Sequence, residues 1–218
     1  GQRHPRPRDR RRVRAAGRDH PLTAMFDYDE EATRYDETRG GEARAQAAAD
    51  AVTELLPAAV TTIVDVAGGT GIVAERLSNT GRVVVCDASA GMLRLASNRL
   101  PGHALRARST CLPIRDASVD ALMTIWLLHL LDEQAVATTI REAARVLCVG
   151  GRYLTTVDKA SAHPRWSGRP VTDHREDVVS LATSSGLVRV GESSFVGLGQ
   201  GGDPPDPVYT LLAFERVR

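Results

Sequence analysis

The stretch Thr61-Thr62-Ile63-Val64-Asp65-Val66-Ala67-Gly68-Gly69-Thr70-Gly71 decides the fold of this chain. A β-branched run reads as a buried strand, and it ends in an acid followed by glycines that let backbone approach a ligand. A second run, Val83-Val84-Val85-Cys86-Asp87, ends in another acid. A glycine turn after one strand and a carboxylate at the end of the next describe a nucleoside pocket, in which the acid receives ribose hydroxyls.

Outward from these strands the pattern alternates. An alanine-rich helix over residues 41 to 56, stopped by Pro57, leads into the first strand near 61 to 66. Then come a helix near 71 to 78, a strand at 82 to 86, a helix at 89 to 99, strands near 103 to 107 and 120 to 125, a helix at 132 to 147 and a strand at 151 to 157. Such alternation argues a parallel sheet covered on both faces. After a helix near Asp173 to Ser185, the strand-like runs Leu187 to Leu198 and Val208 to Val217 are joined by a Gly/Pro loop with no room for a crossover helix. They pair antiparallel at the sheet edge.

With 218 residues, one α/β domain is expected over residues 25 to 218. Residues 1 to 24 carry eight arginines against Asp9 and Asp19, leaving the body mildly acidic against a net charge of +1. That arm reads as a flexible leader and Met25 as a natural start. A body without a patterned basic face argues against a nucleic-acid partner. No apolar run is long enough to cross a membrane, so a cytoplasmic protein is expected. Cys86, Cys111 and Cys148 lack the spacing of a zinc site or redox pair, and no metal is expected.

Four local patterns in order resemble the class I S-adenosylmethionine-dependent methyltransferases of the small-molecule branch (type 11/25-like). They are Asp65-x-Ala67-x-Gly69-x-Gly71; Asp87-Ala88-Ser89-Ala90-Gly91-Met92; Leu112 to Asp120 with Leu127-Leu128-His129-Leu130; and Glu142 to Arg152. The segment from Phe26 through Tyr35 to Gly40 is similar to the family's N-terminal lid. The resemblance implies a doubly wound, Rossmann-like, seven-stranded mixed sheet with an antiparallel C-terminal pair and a helical lid. It also implies transfer of a methyl group from S-adenosylmethionine to a small-molecule acceptor, at O, N or C, by in-line displacement.

Cofactor contacts implied by the resemblance fall on Tyr35 and Arg39 in the lid, and on Asp65, Ala67, Gly68, Gly69 and Gly71 in the turn. They continue on Asp87, Ala88 and Met92, on Arg108, Ser109 and Thr110, and on Thr124 and Trp126. Asp65 would hold the ammonium group, Asp87 the ribose, and Met92 and Ser109 would flank the adenine. Two departures stand out. Ala67 replaces a glycine, which is tolerable if φ there is negative. Arg108 stands where an acid usually receives the adenine amino group, so Ser109, backbone groups or stacking by Arg108 would serve.

Candidate bases are His129, just beyond the fourth strand, and His163 and His174 in the loop after the fifth. The competing readings are a packed His129 and a solvated loop that also holds Asp158 and Lys159. Phe26, Tyr28, Tyr35, Trp126 and Trp166 are candidate walls of the acceptor pocket. Two other classes stay open: a protein that binds S-adenosylmethionine without methyl transfer, and an NAD(P) oxidoreductase, because Gly69 to Ala74 also reads G-x-G-x-x-A. The sequence leaves the oligomeric state undecided, a homodimer included.

Overall fold

Seven strands and six helices carry out the alternation in a computed structural model that describes residues 27–159, 170–199 and 205–218. The arginine-rich arm at 1–24 and Met25, Phe26, His163 and Trp166 lie outside the described residues. The chain begins with α1 (Tyr28–Thr38) and α2 (Gly41–Leu55), followed by β1 (Thr62–Val66), α3 (Ile72–Arg76) and β2 (Arg82–Asp87). Next come α4 (Ala90–Arg99), β3 (Ala104–Arg106), β4 (Val119–Thr124), α5 (Glu133–Val146) and β5 (Leu147–Val157). The last elements are α6 (Arg175–Ser184), β6 (Leu187–Val196) and β7 (Val208–Arg216).

The strand order is β3-β2-β1-β4-β5-β7-β6. β1 to β5 run parallel, while β7 is antiparallel to both β5 and β6. The tail therefore pairs as its short connection requires. Strand order reverses between β1 and β4, which opens a crevice at the carboxyl ends of these strands.

Alternation along β1 sends Ile63 to one face and Val64 and Val66 to the other. On the first face Ile63, Val85 and Met123 meet α2, α3 and α4; on the second, Val64, Leu122 and Tyr153 meet α5 and α6. α2 presents Ala45, Ala48, Ala49 and Val52, so small side chains let the helix sit close to the sheet. Covering both faces is what makes the parallel strands read as continuous apolar runs.

Two boundaries differ from the sequence expectation. β5 starts at Leu147 rather than 151, because the chain enters the sheet through an irregularity opposite Val119 and Ala121, with Gly150 at φ 81°. α3 closes at Arg76, followed by turns through Leu77 and Ser78. Glu142 and Arg145 act as a clamp between α5 and the loop before β4. Glu142 accepts from the Leu112 N–H at 2.7 Å, and Arg145 donates to the Ile114 and Leu112 carbonyls and to Asp116.

The lid is fastened to the cradle by its own acids. Asp27 caps α1. Asp29 accepts from Ser89 Oγ at 2.5 Å and from the Gly91 N–H at 2.6 Å, at the start of α4. Asp36 accepts from Thr70 Oγ1 at 2.6 Å and from Arg99 at 2.7 Å. α1 is thus held across the glycine turn from both sides.

Candidate active site

At the end of β1 the chain turns through Ala67, Gly68, Gly69 and Gly71. The Ala67 N–H donates to the Cys86 carbonyl at 2.7 Å, and Gly71 N–H to the Gly68 carbonyl at 2.9 Å. Gly69 and Gly71 have φ of 56° and 75°. Gly68 is required for a different reason: a Cβ there would lie 2.5 Å from Asp65 Oδ2, because the acid folds under the turn. The condition on Ala67 is not met, since it stands at φ 58°. The turn forces a left-handed residue directly after β1, and alanine carries the strain.

Strain recurs along the same edge. Trp126, just past β4, has φ 59°, and Asp158, just past β5, has φ 55°. Three of the four non-glycine residues with positive φ among the described residues therefore lie at the carboxyl ends of β1, β4 and β5. Such conformations cost of order 1–3 kcal/mol each and gather where function requires them.

Asp65 is buried, and burial, followed by the charge of Asp87, pushes its carboxyl up to about 7. Asp87 accepts from the Gly69 N–H at 2.9 Å and the Ser89 N–H at 2.8 Å, so one carboxylate ties the glycine turn to the start of α4. Burial raises its pKa and those backbone donors oppose the rise. Met92 is buried beneath the turn, its Sδ 3.8 Å from where a Gly69 side chain would start. Ala88, Arg108, Cys111 and Pro113 line an open groove of about 460 Å³ beside Asp87. Ser109 Oγ accepts from Thr139 Oγ1 at 2.9 Å, which fixes it against α5, and Thr110 follows, half-buried.

The lid brings Tyr35 and Arg39 to the other side. The Arg39 guanidinium lies 5.7 Å from the Tyr35 ring, and Tyr28 stands 6.2 Å from Tyr35. Burial raises the pKa of both phenols, that of Tyr28 to about 12, and the Asp87 charge reaches each of them.

Thr124 is corrected to a core residue. It is fully buried, and its hydroxyl is engaged with Tyr153 Oη and Thr155 Oγ1, each at 2.8 Å, inside the sheet. Trp126 packs against the core: its backbone N–H donates to Thr156 Oγ1 at 2.7 Å, and its ring packs edge-on against Phe195 and Tyr209. Its other neighbour is Arg44, whose guanidinium lies 3.5 Å from the ring centroid.

His129 is buried in a single 3-10 turn, Leu128–Leu130, with Nε2 2.8 Å from Lys159 Nζ. Burial, and then the charges of Arg44 and Arg39, push the Lys159 amine down to about 7. The solvated loop expected here is thus wrong for Lys159. His174 caps α6, half-exposed, with Nδ1 3.9 Å from Asp158, and the structure gives it no contact with the glycine turn. Sequence reasoning passed over Arg44 and undervalued Lys159. The available signals were a lone arginine within an alanine run and the single lysine of an arginine-rich chain.

Residues 64–155, from β1 through most of β5, match the family model described as a methyltransferase domain. Over that segment the chain is similar to the methyltransferase family, and its sheet order is laid around the matched strands. Among curated relatives, the ubiquinone/menaquinone biosynthesis C-methyltransferase UbiE of Xanthomonas axonopodis pv. citri is 37% identical over 102 residues, covering 41% of this chain and 39% of that protein. The chain spans about two fifths of the length of the curated relatives it matches. Among solved structures, a SAM-dependent methyltransferase of Thermotoga maritima aligns with a TM-score of 0.65 at 17% identity, over 87% of this chain and 98% of that one. The [4+2]-cyclase SpnF aligns at 0.67 and 17%, over 87% and 94%. At these identities the likeness to solved structures is one of fold.

Proposed function

We propose that the protein transfers a methyl group from S-adenosylmethionine to a small-molecule acceptor by in-line displacement. The observation that carries this is Asp87 bridging the Gly69 and Ser89 N–H groups at the mouth of a glycine turn within a matched methyltransferase domain. The residues fit the cofactor: any side chain at Gly68 would collide with Asp65, and Asp65 is a buried acid suited to a cationic partner.

In this assignment Asp65 holds the ammonium group, Gly68, Gly69 and Gly71 admit the methionine part, and Asp87 takes the ribose. Ala88, Met92, Arg108, Ser109 and Thr110 surround the adenine. The bound cofactor supplies an activated methyl on a sulfonium centre. The protein contributes alignment and exclusion of water, which lowers the barrier by several kcal/mol without a strong base. Tyr28, Tyr35, Arg39 and Trp126 form the acceptor side, where His129, next to Lys159, is the histidine placed to take a proton. The free thiols of Cys86, Cys111 and Cys148 support a reducing, cytoplasmic setting.

Calorimetry with S-adenosylhomocysteine and NAD tests the cofactor, and tight NAD binding without the homocysteine compound defeats the proposal. Methyl-labelled cofactor with candidate acceptors tests the reaction. A second reading, cofactor-dependent chemistry without methyl transfer, is favoured only by the likeness to a cyclase, and label retained on the cofactor during turnover would support it.

A further inference from the structure

Arg44 lies within the alanine run of α2 and is 5% exposed. A buried guanidinium is costly unless a carboxylate or several hydrogen bonds answer it. Among the described residues its polar partners are neutral: the Arg39 carbonyl, accepting from Nη1 at 2.8 Å, and the Tyr209 phenol. Its Nε is buried without a partner. Arg39, Tyr35 and Tyr209 act on its charge, with no carboxylate among them.

A second cation, part-buried, belongs to the same electrostatic cluster. Lys159 feels Arg44 and Arg39, with Asp173 as the opposing charge, and its amine contacts His129. Asp173 accepts the Lys159 backbone N–H at 2.8 Å, while Asp158 is held by Arg175. Tyr35 lies within reach of both this cluster and the glycine-turn acids, since the charges of Arg44, Arg39, Asp87 and Asp36 all act on it and the Arg39 guanidinium is 5.7 Å from its ring. Positive charge is therefore concentrated beside the cradle, with an aromatic floor at Trp126.

We infer that this cluster seats an anionic acceptor, a small molecule whose carboxylate or phosphate oxygens are met by Arg44 and Lys159 while its carbon frame lies against Trp126 and Tyr35. An anion there would occupy the Arg44 fork and offset the mutual repulsion of the cations. Trp126 and Tyr35 supply flat apolar surface for the attached frame. The inference rests on the methyl-transfer assignment for the meaning of "acceptor", but the anion seat is tested without turnover.

The test is calorimetry on the full chain with benzoate, phenyl phosphate and the neutral benzyl alcohol, and S-adenosylhomocysteine titrated separately. At least one anion is expected to bind about tenfold or more tighter than benzyl alcohol, and the tighter of the two assigns carboxylate or phosphate. Arg44→Met and Lys159→Met should each weaken that anion about tenfold, Arg44→Lys less, with homocysteine-compound affinity within about threefold of the parent. Equal binding of benzyl alcohol, or unchanged anion affinity in both methionine variants, overturns the inference. If Arg44→Met does not fold, Lys159→Met decides. Homocysteine-compound binding without anion binding overturns the seat alone; the reverse upholds the seat and defeats the methyl-transfer assignment.

Discussion

Lys159 Nζ lies 2.8 Å from His129 Nε2, an amine and an imidazole brought together from the ends of β5 and β4. Burial beside Arg44 and Arg39 holds the amine at about 7 instead of 10.5. Between those values the unfolded chain binds the extra proton, so the contribution of Lys159 to stability rises as pH increases from about 7 toward 10. Lys159→Met should flatten that part of the stability profile in denaturant titrations at pH 7 and 9.5. Because Lys159 is the single lysine in the sequence, a lysine side-chain nitrogen label gives one resonance. Its titration near pH 7 supports the placement, and titration near 10.5 contradicts it.

Asp65 has the opposite dependence. Its folded carboxyl is raised to about 7 from 3.8, so its protonated form is favoured on folding and that stability is lost as pH rises from about 4 through 7. Asp65→Asn should remove this loss and leave the protein at least as stable as the parent at pH 7. The same substitution removes the charge assigned to the cofactor's ammonium group, so affinity for S-adenosylhomocysteine should fall roughly 10- to 100-fold, as expected for a charged hydrogen bond. Denaturant unfolding and calorimetry on one preparation separate the two effects.

At Asp87 both effects should be losses. Asp87→Ala leaves the Gly69 and Ser89 N–H groups without their acceptor. A destabilisation of about 1–3 kcal/mol is expected, with loss of homocysteine-compound binding by roughly 100-fold. Unchanged affinity in a folded Asp87→Ala protein would remove the acid from the ribose role.

The sheet, the antiparallel tail, the glycine turn and its two acids were legible because each depends on local pattern: β-branched runs, short connections, and glycines beside acids. What escaped depends on contacts between distant segments. Arg44 looks like one more surface residue in a helix-forming run until Trp126 and Tyr209 arrive beneath it. Lys159 looks solvated until His129 arrives at its amine. Thr124 reads as a site residue from its position at the end of β4, but strand alternation turns its hydroxyl into the sheet toward Thr155. The φ of Ala67 was missed because its sign is set by how Asp65 and the Cys86 carbonyl hold the turn.

Adjacent positions in that turn should respond in opposite senses. Ala67 stands at φ 58°, where a Cβ is strained, so Ala67→Gly relieves the strain while adding freedom to the unfolded chain. The strain term is the larger at a left-handed residue, and a stabilisation of up to about 1 kcal/mol is expected. Gly68→Ala instead sets a methyl 2.5 Å from Asp65 Oδ2 and 2.6 Å from its Cγ. The acid cannot retreat, because it is buried near the end of β1, so the turn itself must shift. A loss of about 1–3 kcal/mol is expected, as for overpacking of a filled site, together with loss of cofactor binding. Denaturant midpoints for the two variants, read beside their homocysteine-compound affinities, check both signs; a Gly68→Ala protein that binds normally would mean that Asp65 does not lie beneath the turn.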